Sequence, residues 1–122
     1  MLVDEEDKSF SLNFWNWGAL HEAVRVAGVL PDDIWGPMRQ GWGPPLAAEH
    51  VQTLRSFLAT QVLPRMQPGQ RLLFTGEVTS EPDDGKMHYD DDNQWRNYSL
   101  LEQVLRDTIT FLDHATGSIR VR

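Results

Sequence analysis

The sequence of this 122-residue chain predicts an α+β fold, in which a small sheet joins the two ends of the chain and packs with about three helices. Two short stretches near the ends, Phe10–Phe14 and Ser118–Arg122, alternate apolar and polar residues with the period of a half-buried strand. Longer stretches between them place apolar residues three and four positions apart, which is typical of amphipathic helices. We therefore expect the two terminal strands to pair with each other and the helices to cover them.

The first helix is expected directly after the N-terminal strand. Asn16 is the expected N-cap, because its side-chain oxygen can accept a backbone N–H of the first turn. Gly28 suits the left-handed position after the helix, and Pro31 prevents its continuation. Trp17 lies at the junction of strand and helix, and we expect it to be buried. The apolar positions fall on one helix face: Leu20, Ala23, Val24 and Ala27.

Residues 31–45 are expected to form a loop, because they contain four prolines and three glycines. Several of their side chains are nevertheless large and apolar. The favoured interpretation is a self-packed loop that covers an edge of the core. The alternative is a loop that presents Trp35 or Trp42 to a partner, since tryptophan is enriched among the residues that dominate binding energy.

The second half of the chain predicts two further helices and a strand. A helix is expected over Ala47–Leu63, where apolar residues again share one stripe. Arg71–Thr79 reads as a short strand, although a glycine interrupts its alternation. Ser99 and Glu102 have the spacing of a capping box, which predicts a third helix that ends at Gly117.

Length and composition indicate a single domain over residues 1–122, with residues 1–8 expected to be a disordered acidic tail. The absence of cysteine excludes disulfides and thiolate zinc sites. No apolar run approaches the roughly 20 residues of a membrane span, and the acidic start has no hydrophobic segment of a secretory signal. We expect a cytoplasmic protein of bacterial origin.

The net charge of −7 is concentrated in two segments. Met1–Lys8 holds four acids and one lysine, and Glu77–Asp92 holds seven acids and one lysine, so the rest of the chain is slightly positive. Such a chain lacks a general phosphate-neutralising surface and is not expected to bind nucleic acid directly. It is expected to attract a basic protein partner.

Known catalytic motifs are missing from the sequence. His21 and Glu22 begin like the zinc-protease motif H-E-x-x-H, but residue 25 is an arginine. No P-loop, dinucleotide-binding fingerprint or nucleophile elbow is present. We therefore assign no catalytic residue, no metal ligand and no cofactor.

The acidic segment Glu81–Gln94 is the most distinctive cluster of charged residues, and three interpretations remain open for it. It can be a solvated loop, as charge runs usually are. It can be a protein-binding surface, in which aromatic anchors are surrounded by carboxylates that attract a basic partner. A metal site is the least favoured, because calcium-loop spacing is absent. The candidate partner-binding residues are Asp83, Asp84, Tyr89, Asp90, Asp91, Asp92 and Trp95.

The run Asn13–Leu20, which reads NFWNWGAL, resembles the opening of small, largely uncharacterised bacterial proteins. In those proteins a short strand carries an N-x-W-G-type motif into the first helix. The start of the second helix at Ala48–Val51 and the close of the chain at Phe111–Val121 are also similar. Proteins of this size and acidity resemble the immunity proteins of bacterial toxin–immunity pairs. The resemblance implies a protein that acts by binding a cognate toxin.

The first functional hypothesis is thus an immunity-type inhibitor that binds a basic toxin domain through acidic and aromatic side chains. Clustered carboxylates raise the rate of association with such a partner and can imitate phosphates. One alternative is a small metal-dependent hydrolase that uses His88, Asp90 and Asp92. Another is an acidic decoy that imitates DNA. The oligomeric state is left open.

Overall fold

The computed structural model describes residues 1–81 and 98–122, in which four α-helices and two three-stranded antiparallel sheets enclose a hydrophobic core. The α+β class is therefore confirmed. None of the helices in these residues is long and apolar enough to cross a membrane. The strands are β1 (Leu2–Val3), β2 (Ser9–Phe10), β3 (Arg71–Leu73), β4 (Val78–Thr79), β5 (Ser99–Leu101) and β6 (Arg120–Val121), and the helices are α1 (Phe14–Ala27), α2 (Asp32–Met38), α3 (Ala48–Phe57) and α4 (Glu102–His114).

The first sheet joins the two ends of the chain, as the sequence predicts, but in the order β2–β1–β6. Leu2 pairs with Phe10 on one side and with Val121 on the other. The expected direct pairing of Phe10–Phe14 with the C-terminal strand is wrong, because β1 lies between them. Leu2 and Val3 are buried at the centre of this sheet, so the N-terminal residues are not a disordered tail.

The acidic turn after β1 is ordered by the buried carboxylate of Asp4. Its Oδ1 accepts hydrogen bonds from the backbone N–H groups of Glu6 and Lys8, and its Oδ2 accepts one from Thr116, all at 2.9 Å. A carboxylate with three such donors fixes the turn and ties it to the chain after α4. The composition of this segment did not indicate such a role, because four acids in eight residues are typical of a solvated tail.

Helix α1 begins before the expected position. Its N-cap is Asn13, whose side-chain oxygen accepts the backbone N–H of Asn16 at 2.7 Å. The prediction of Asn16 as the cap is wrong, since an asparagine three residues earlier already caps the helix. Gly28 ends the helix in the left-handed conformation with φ 67°, as expected. Trp17 is buried, which confirms that prediction.

The segment expected to be a loop over residues 31–45 contains helix α2. Pro31 precedes its first turn in an extended conformation, and Asp32 and Asp33 in that turn are favourable for the helix dipole. Trp35 and Met38, three positions apart, are both buried, so core packing stabilises this short helix. Pro37 lies in its last turn, where its missing N–H costs the helix one backbone hydrogen bond, and the helix ends one residue later.

The second long helix is irregular in its second half. Helix α3 continues into a π-helix over Leu58–Val62 and a 3₁₀ turn over Leu63–Arg65, so the helical segment extends slightly beyond the predicted end. The predicted apolar stripe is confirmed, since its members are all buried: Val51, Leu54, Leu58 and Val62.

The second sheet has the order β4–β3–β5. The stretch predicted as one strand over Arg71–Thr79 is a hairpin, with Gly76 at φ 91° in its turn. Ser99 belongs to β5 and is not a helix cap, because the next residue, Leu100, is fully buried and pairs with Leu72. Helix α4 therefore begins only at Glu102.

Candidate protein-binding surface

Three consecutive residues of α1 fix its position against the rest of the fold. The side-chain oxygen of Asn16 accepts the backbone N–H of Leu101 at 2.9 Å, which ties α1 to β5. The indole N–H of Trp17 donates to the carbonyl of Arg39 at 3.1 Å, which ties α1 to the end of α2. Gly18 is the third of these residues, and it contributes through its lack of a side chain.

Gly18 gives neighbouring side chains access to the helix backbone. A Cβ at this position would lie 2.7 Å from Tyr98 Cδ1 and 2.9 Å from Arg39 Nη2. Cβ atoms in folded proteins do not come within 3.0 Å of such neighbours, so the Tyr98 ring in particular depends on the glycine, whereas the flexible end of Arg39 could move away. The N-x-W-G stretch thus has a structural role. Its glycine leaves room for the ring of Tyr98, which comes from a distant part of the sequence.

Tyr98 is the centre of a cluster of four aromatic rings. We call these four rings, together with Arg39, the aromatic surface. Its ring centroid lies 4.9 Å from Trp15, 5.5 Å from Phe74 and 5.8 Å from Phe14. These distances and the tilted or edge-on angles are those of favourable aromatic pairs. The cluster joins the start of α1, the end of β3 and the start of β5.

Arg39 places a positive charge on this cluster. Its guanidinium carbon lies 4.9 Å from the centroid of Phe14 and 5.5 Å from that of Tyr98. Both distances are within the range of cation–π attraction. The arginine is therefore held in position by rings on two different elements.

The aromatic surface is accessible to a partner. Phe14 is 56% exposed, and Trp15, Phe74 and Tyr98 are each partly exposed. A group of exposed rings with an arginine has the composition that protein interfaces favour at their centres. Four aromatic side chains left this open to water form a contiguous apolar patch, which marks interaction sites on soluble proteins.

Trp42 is a further exposed aromatic residue, and it shares a groove with Arg39. The side chain is 70% exposed and is flanked by Gly41 and Gly43, both with positive φ. Its backbone N–H donates to the Pro37 carbonyl at 3.0 Å, so the tight turn is anchored to α2. Trp42 and Arg39 both line one groove of about 420 Å³. The prediction that this tryptophan is available to a partner thus remains open.

Trp35, the other tryptophan proposed as an anchor, lies in the core and is only 1% exposed. Its ring stacks on His21, and its indole N–H donates to the His21 carbonyl at 3.0 Å. In this fold its indole is not accessible to a partner, because α2 turns it inward. The favoured interpretation of a segment packed on the core therefore holds for Trp35 but not for Trp42.

The remaining candidate residues lie outside the residues that the structure describes. In the sequence they fall within residues 82–97, between Glu81 at the end of β4 and Tyr98 at the start of β5. Tyr98, the central ring of the aromatic surface, follows Asp92 by six positions in the sequence. These candidates are Asp83, Asp84, Tyr89, Asp90, Asp91, Asp92 and Trp95, and His88 of the alternative hydrolase site lies there too.

His21 and Glu22, which begin like a zinc-protease motif in the sequence, each have a structural partner. Within residues 1–81 and 98–122, no group of three or more histidine, aspartate or glutamate side chains is arranged to hold a metal ion. The pKa of Glu22 is lowered mainly by its hydrogen bonds to Arg25, which lies one turn further along α1. Burial lowers the pKa of His21, which is neutral between two tryptophans.

Comparison of the chain with protein-family models, with curated proteins and with solved structures finds no match. Function is therefore inferred from the geometry of the aromatic surface. Sequence reasoning missed Phe14, Phe74, Tyr98 and Arg39 as members of one surface. The available signal was the apolar pair Phe14 and Trp15 beside an asparagine cap, because a helix that begins with two large rings buries neither of them easily.

Proposed function

We propose that this chain is an immunity-type protein that binds and neutralises a cognate bacterial toxin domain in the cytoplasm. The observation that supports this proposal is the aromatic surface, in which Phe14 is half-exposed and Tyr98 holds three other rings and Arg39 together. Aromatic and arginine side chains carry a large share of the energy at protein interfaces. Preassembled rings also lose little conformational entropy on binding.

The charge of the chain supports a basic partner. A net charge of −7 on 122 residues favours encounter with a positively charged domain and raises the association rate. The acidic segment 83–92 precedes Tyr98 in the chain. The residues that attract the partner and a residue that contacts it are therefore close in the sequence. In this proposal the aspartates steer the partner, and the rings and Trp42 make the desolvated contact.

The proposal is tested by recovering the partner from the native host. The tagged protein is used to capture proteins from host lysate, and those that co-purify are identified and quantified by mass spectrometry. We expect one dominant basic protein whose recovery falls strongly with Trp42→Ala or Phe14→Ala. The captured domain should also be toxic to cells that lack this chain and harmless in cells that make it.

A matched control separates this surface from exposed apolar side chains in general. Val26 is 70% exposed, like Trp42, but it does not line the groove of Trp42 and Arg39 and is not part of the aromatic surface. Val26→Ala should leave recovery of the partner unchanged. Equal recovery with all three variants would show that the aromatic surface is not the interface, and a captured domain without toxicity would exclude the immunity role.

A further inference from the structure

A second concave site lies between α1 and the β3–β4 hairpin, and we call it the cleft. Its volume is about 380 Å³, which falls in the range of small-molecule sites, roughly 300–1,000 Å³. One wall is the exposed side of α1 with Ala23 and Val26, and another is the hairpin with Phe74 and Gly76. The walls are mainly apolar, as small-molecule sites are.

The third wall is the irregular end of the α3 segment. Phe57 is the last residue of α3, and Val62 closes the π-helix that follows it. A π-helix has wider turns than an α-helix, is rare, and occurs frequently at functional sites. Here it shapes the base of the cleft, and the 3₁₀ turn after it brings Arg65 to the rim.

Two charged side chains line the cleft, and only one is neutralised. The Glu22 carboxylate accepts two hydrogen bonds from Arg25, so its charge is already paired. Arg65 donates to the carbonyl of Gly76 at 2.8 Å. In the part of the chain that the structure describes, no carboxylate forms an ion pair with Arg65. Among the described residues, the rim therefore carries one positive charge without an ion-pair partner, beside an apolar interior.

We infer that the cleft is a binding site for a small apolar molecule that carries one carboxylate, such as a medium-chain fatty acid. The apolar chain occupies the volume between α1 and the hairpin, where it displaces water from Val26 and Phe74. The carboxylate lies at the rim against the Arg65 guanidinium, whose planar donors match it. This inference does not depend on the proposed toxin-binding function.

Octanoate is the probe for this site, with 1-octanol and octylammonium as the neutral and cationic probes of equal chain length. Each is titrated into the full chain, and binding is followed by the amide chemical shifts of the ¹⁵N-labelled protein. We expect octanoate to produce saturable shifts at Ala23, Val26 and Gly76. Octanol should bind more weakly at the same amides, and octylammonium should bind most weakly of the three.

Two pairs of variants test the role of charge without disturbing the fold. Arg65→Gln should weaken octanoate binding about fivefold and leave octanol binding unchanged. Arg55→Gln is its control, because it removes the same charge from a side chain that faces Asp113 and not the cleft. Val26→Glu should weaken octanoate binding more than Val26→Gln does, since both variants remove an apolar wall residue but only the glutamate adds a like charge.

Several outcomes would overturn the inference. Shifts that do not saturate, or that fall on amides outside the cleft, would show that octanoate does not occupy it. Equal affinity for octanoate and octylammonium, or an affinity unaffected by Arg65→Gln, would show that the rim charge does not select a carboxylate. Each of these results leaves the partner-capture experiment untouched, so the two proposals fail separately.

Discussion

The imidazole of His21 and the indole of Trp35 stack with their ring centroids 4.7 Å apart and their planes within 7°. Each side chain also bonds the other residue's backbone, since His21 Nε2 lies 2.7 Å from the Trp35 carbonyl and Trp35 Nε1 lies 3.0 Å from the His21 carbonyl. A carbonyl oxygen only accepts, so His21 Nε2 carries a proton. This reciprocal pair joins α1 to α2 inside the core.

The pair predicts a loss of stability in mild acid. Burial lowers the pKa of His21 from its usual 6.5, and the positive charges of Arg39 and Arg25 act in the same direction. The hydrogen bond to the Trp35 carbonyl and the charge of Glu22 oppose the shift without reversing it. Between the folded pKa and 6.5 the unfolded chain therefore binds more protons, so the free energy of unfolding falls as pH drops through this window.

Urea unfolding curves measured between pH 8 and pH 5 test this prediction. We expect a decrease of at most about 1.4 kcal/mol per pH unit from this one group. His21→Phe retains an aromatic ring but cannot titrate, so it should be less stable at pH 8 and should show a flatter dependence between pH 6.5 and pH 5. His114→Phe is the matched control for the replacement of an imidazole by a phenyl ring, because His114 is exposed and lies outside the stacked pair.

The carboxylate of Asp4 gives a second prediction about acid and charge. Burial favours a higher pKa for this carboxyl, but the backbone donors of Thr116, Lys8 and Glu6 outweigh it, and the pKa lies below 3.8. Asp4 thus stabilises the fold above that pH, and this contribution disappears as the pH falls through its folded pKa. Asp4→Asn should lower the melting temperature by several degrees, because an amide cannot accept all three backbone hydrogen bonds.

Glu6→Gln is the matched control for Asp4→Asn. It removes the same charge from the same turn, but the Glu6 side chain is 63% exposed and its carboxylate lies only beside Lys8. The melting temperature of this variant should stay close to that of the wild type. Equal melting temperatures for both variants would show that total charge, and not the buried carboxylate, governs the stability of the turn.

The sequence predicted the long elements well, because their apolar periodicity reflects the face that is buried. Of the predicted stripe of α1, Leu20 and Val24 are buried and Ala23 is partly buried, but Ala27 is exposed; the glycine after the helix was predictable from local chemistry. Strand β1 was not, since two residues are too few to show a period and four acids follow them closely. Helix α2 was missed because prolines and glycines count against a helix, whereas the burial of Trp35 and Met38 decides it.

The C-terminal strand should be essential to the fold. Ile119 exchanges two backbone hydrogen bonds with Leu46 and is fully buried, and Val121 pairs with Leu2. Deletion of residues 118–122 should cost several kcal/mol, because it uncovers the central strand β1 as a sheet edge. Ile119→Ala alone should cost about 2–5 kcal/mol.

Thermal and urea denaturation measure both changes against Arg122→Ala. Arg122 is exposed at the end of the same strand, so its truncation should change stability by less than about 0.5 kcal/mol. A deletion variant that melts at the wild-type temperature would rule out a stabilising role for this pairing.

Gly18 should be intolerant of even a methyl group, although it lies inside a helix. Helix propensity alone predicts that Gly18→Ala stabilises the chain by about 1 kcal/mol. The new Cβ would overlap the Tyr98 ring, which is held by three other rings, and overpacking of this kind costs about 1–3 kcal/mol. We therefore expect a net loss of up to about 2 kcal/mol in urea unfolding.

A double-mutant cycle isolates this contact. In a Tyr98→Ala background the ring is gone, so Gly18→Ala should become neutral or stabilising. The same loss in both backgrounds would contradict a specific contact between Gly18 and Tyr98. Near-ultraviolet circular dichroism of the single variant should also change, because the packing of the four rings is disturbed.

The aromatic surface could not be read from the sequence, because Phe14 and Tyr98 meet only through tertiary structure. Tyr98 reaches α1 because β5 pairs with β3 and donates the Leu101 backbone N–H to the side-chain oxygen of Asn16. Neither ring belongs to a motif with a fixed chemical role. For Trp42 the sequence left the exposure open, since the prolines and glycines around it predicted a loop but not whether that loop packs on the core.

The aspartates and the tryptophans should affect different rate constants when binding of the captured partner is measured kinetically. Replacement of Asp90, Asp91 and Asp92 by asparagine should slow association, and added salt should reduce the difference, since charges beyond roughly 10 Å are screened at 0.1 M. Trp42→Ala, and likewise Trp95→Ala, should instead speed dissociation. For a central anchor, the loss of binding free energy should be about 2 kcal/mol or more.

Surface-based binding kinetics at two salt concentrations separate these effects, and melting curves separate both from misfolding. Trp42 is 70% exposed, so its truncation should leave the melting temperature unchanged. A faster dissociation with an unchanged melting temperature would place Trp42 in the interface. A slower association for Trp42→Ala with the same salt dependence as the aspartate variant would contradict the division of roles, because an uncharged ring cannot act through long-range attraction. Unchanged rates for every variant would exclude both the acidic segment and the aromatic surface as the site of toxin binding.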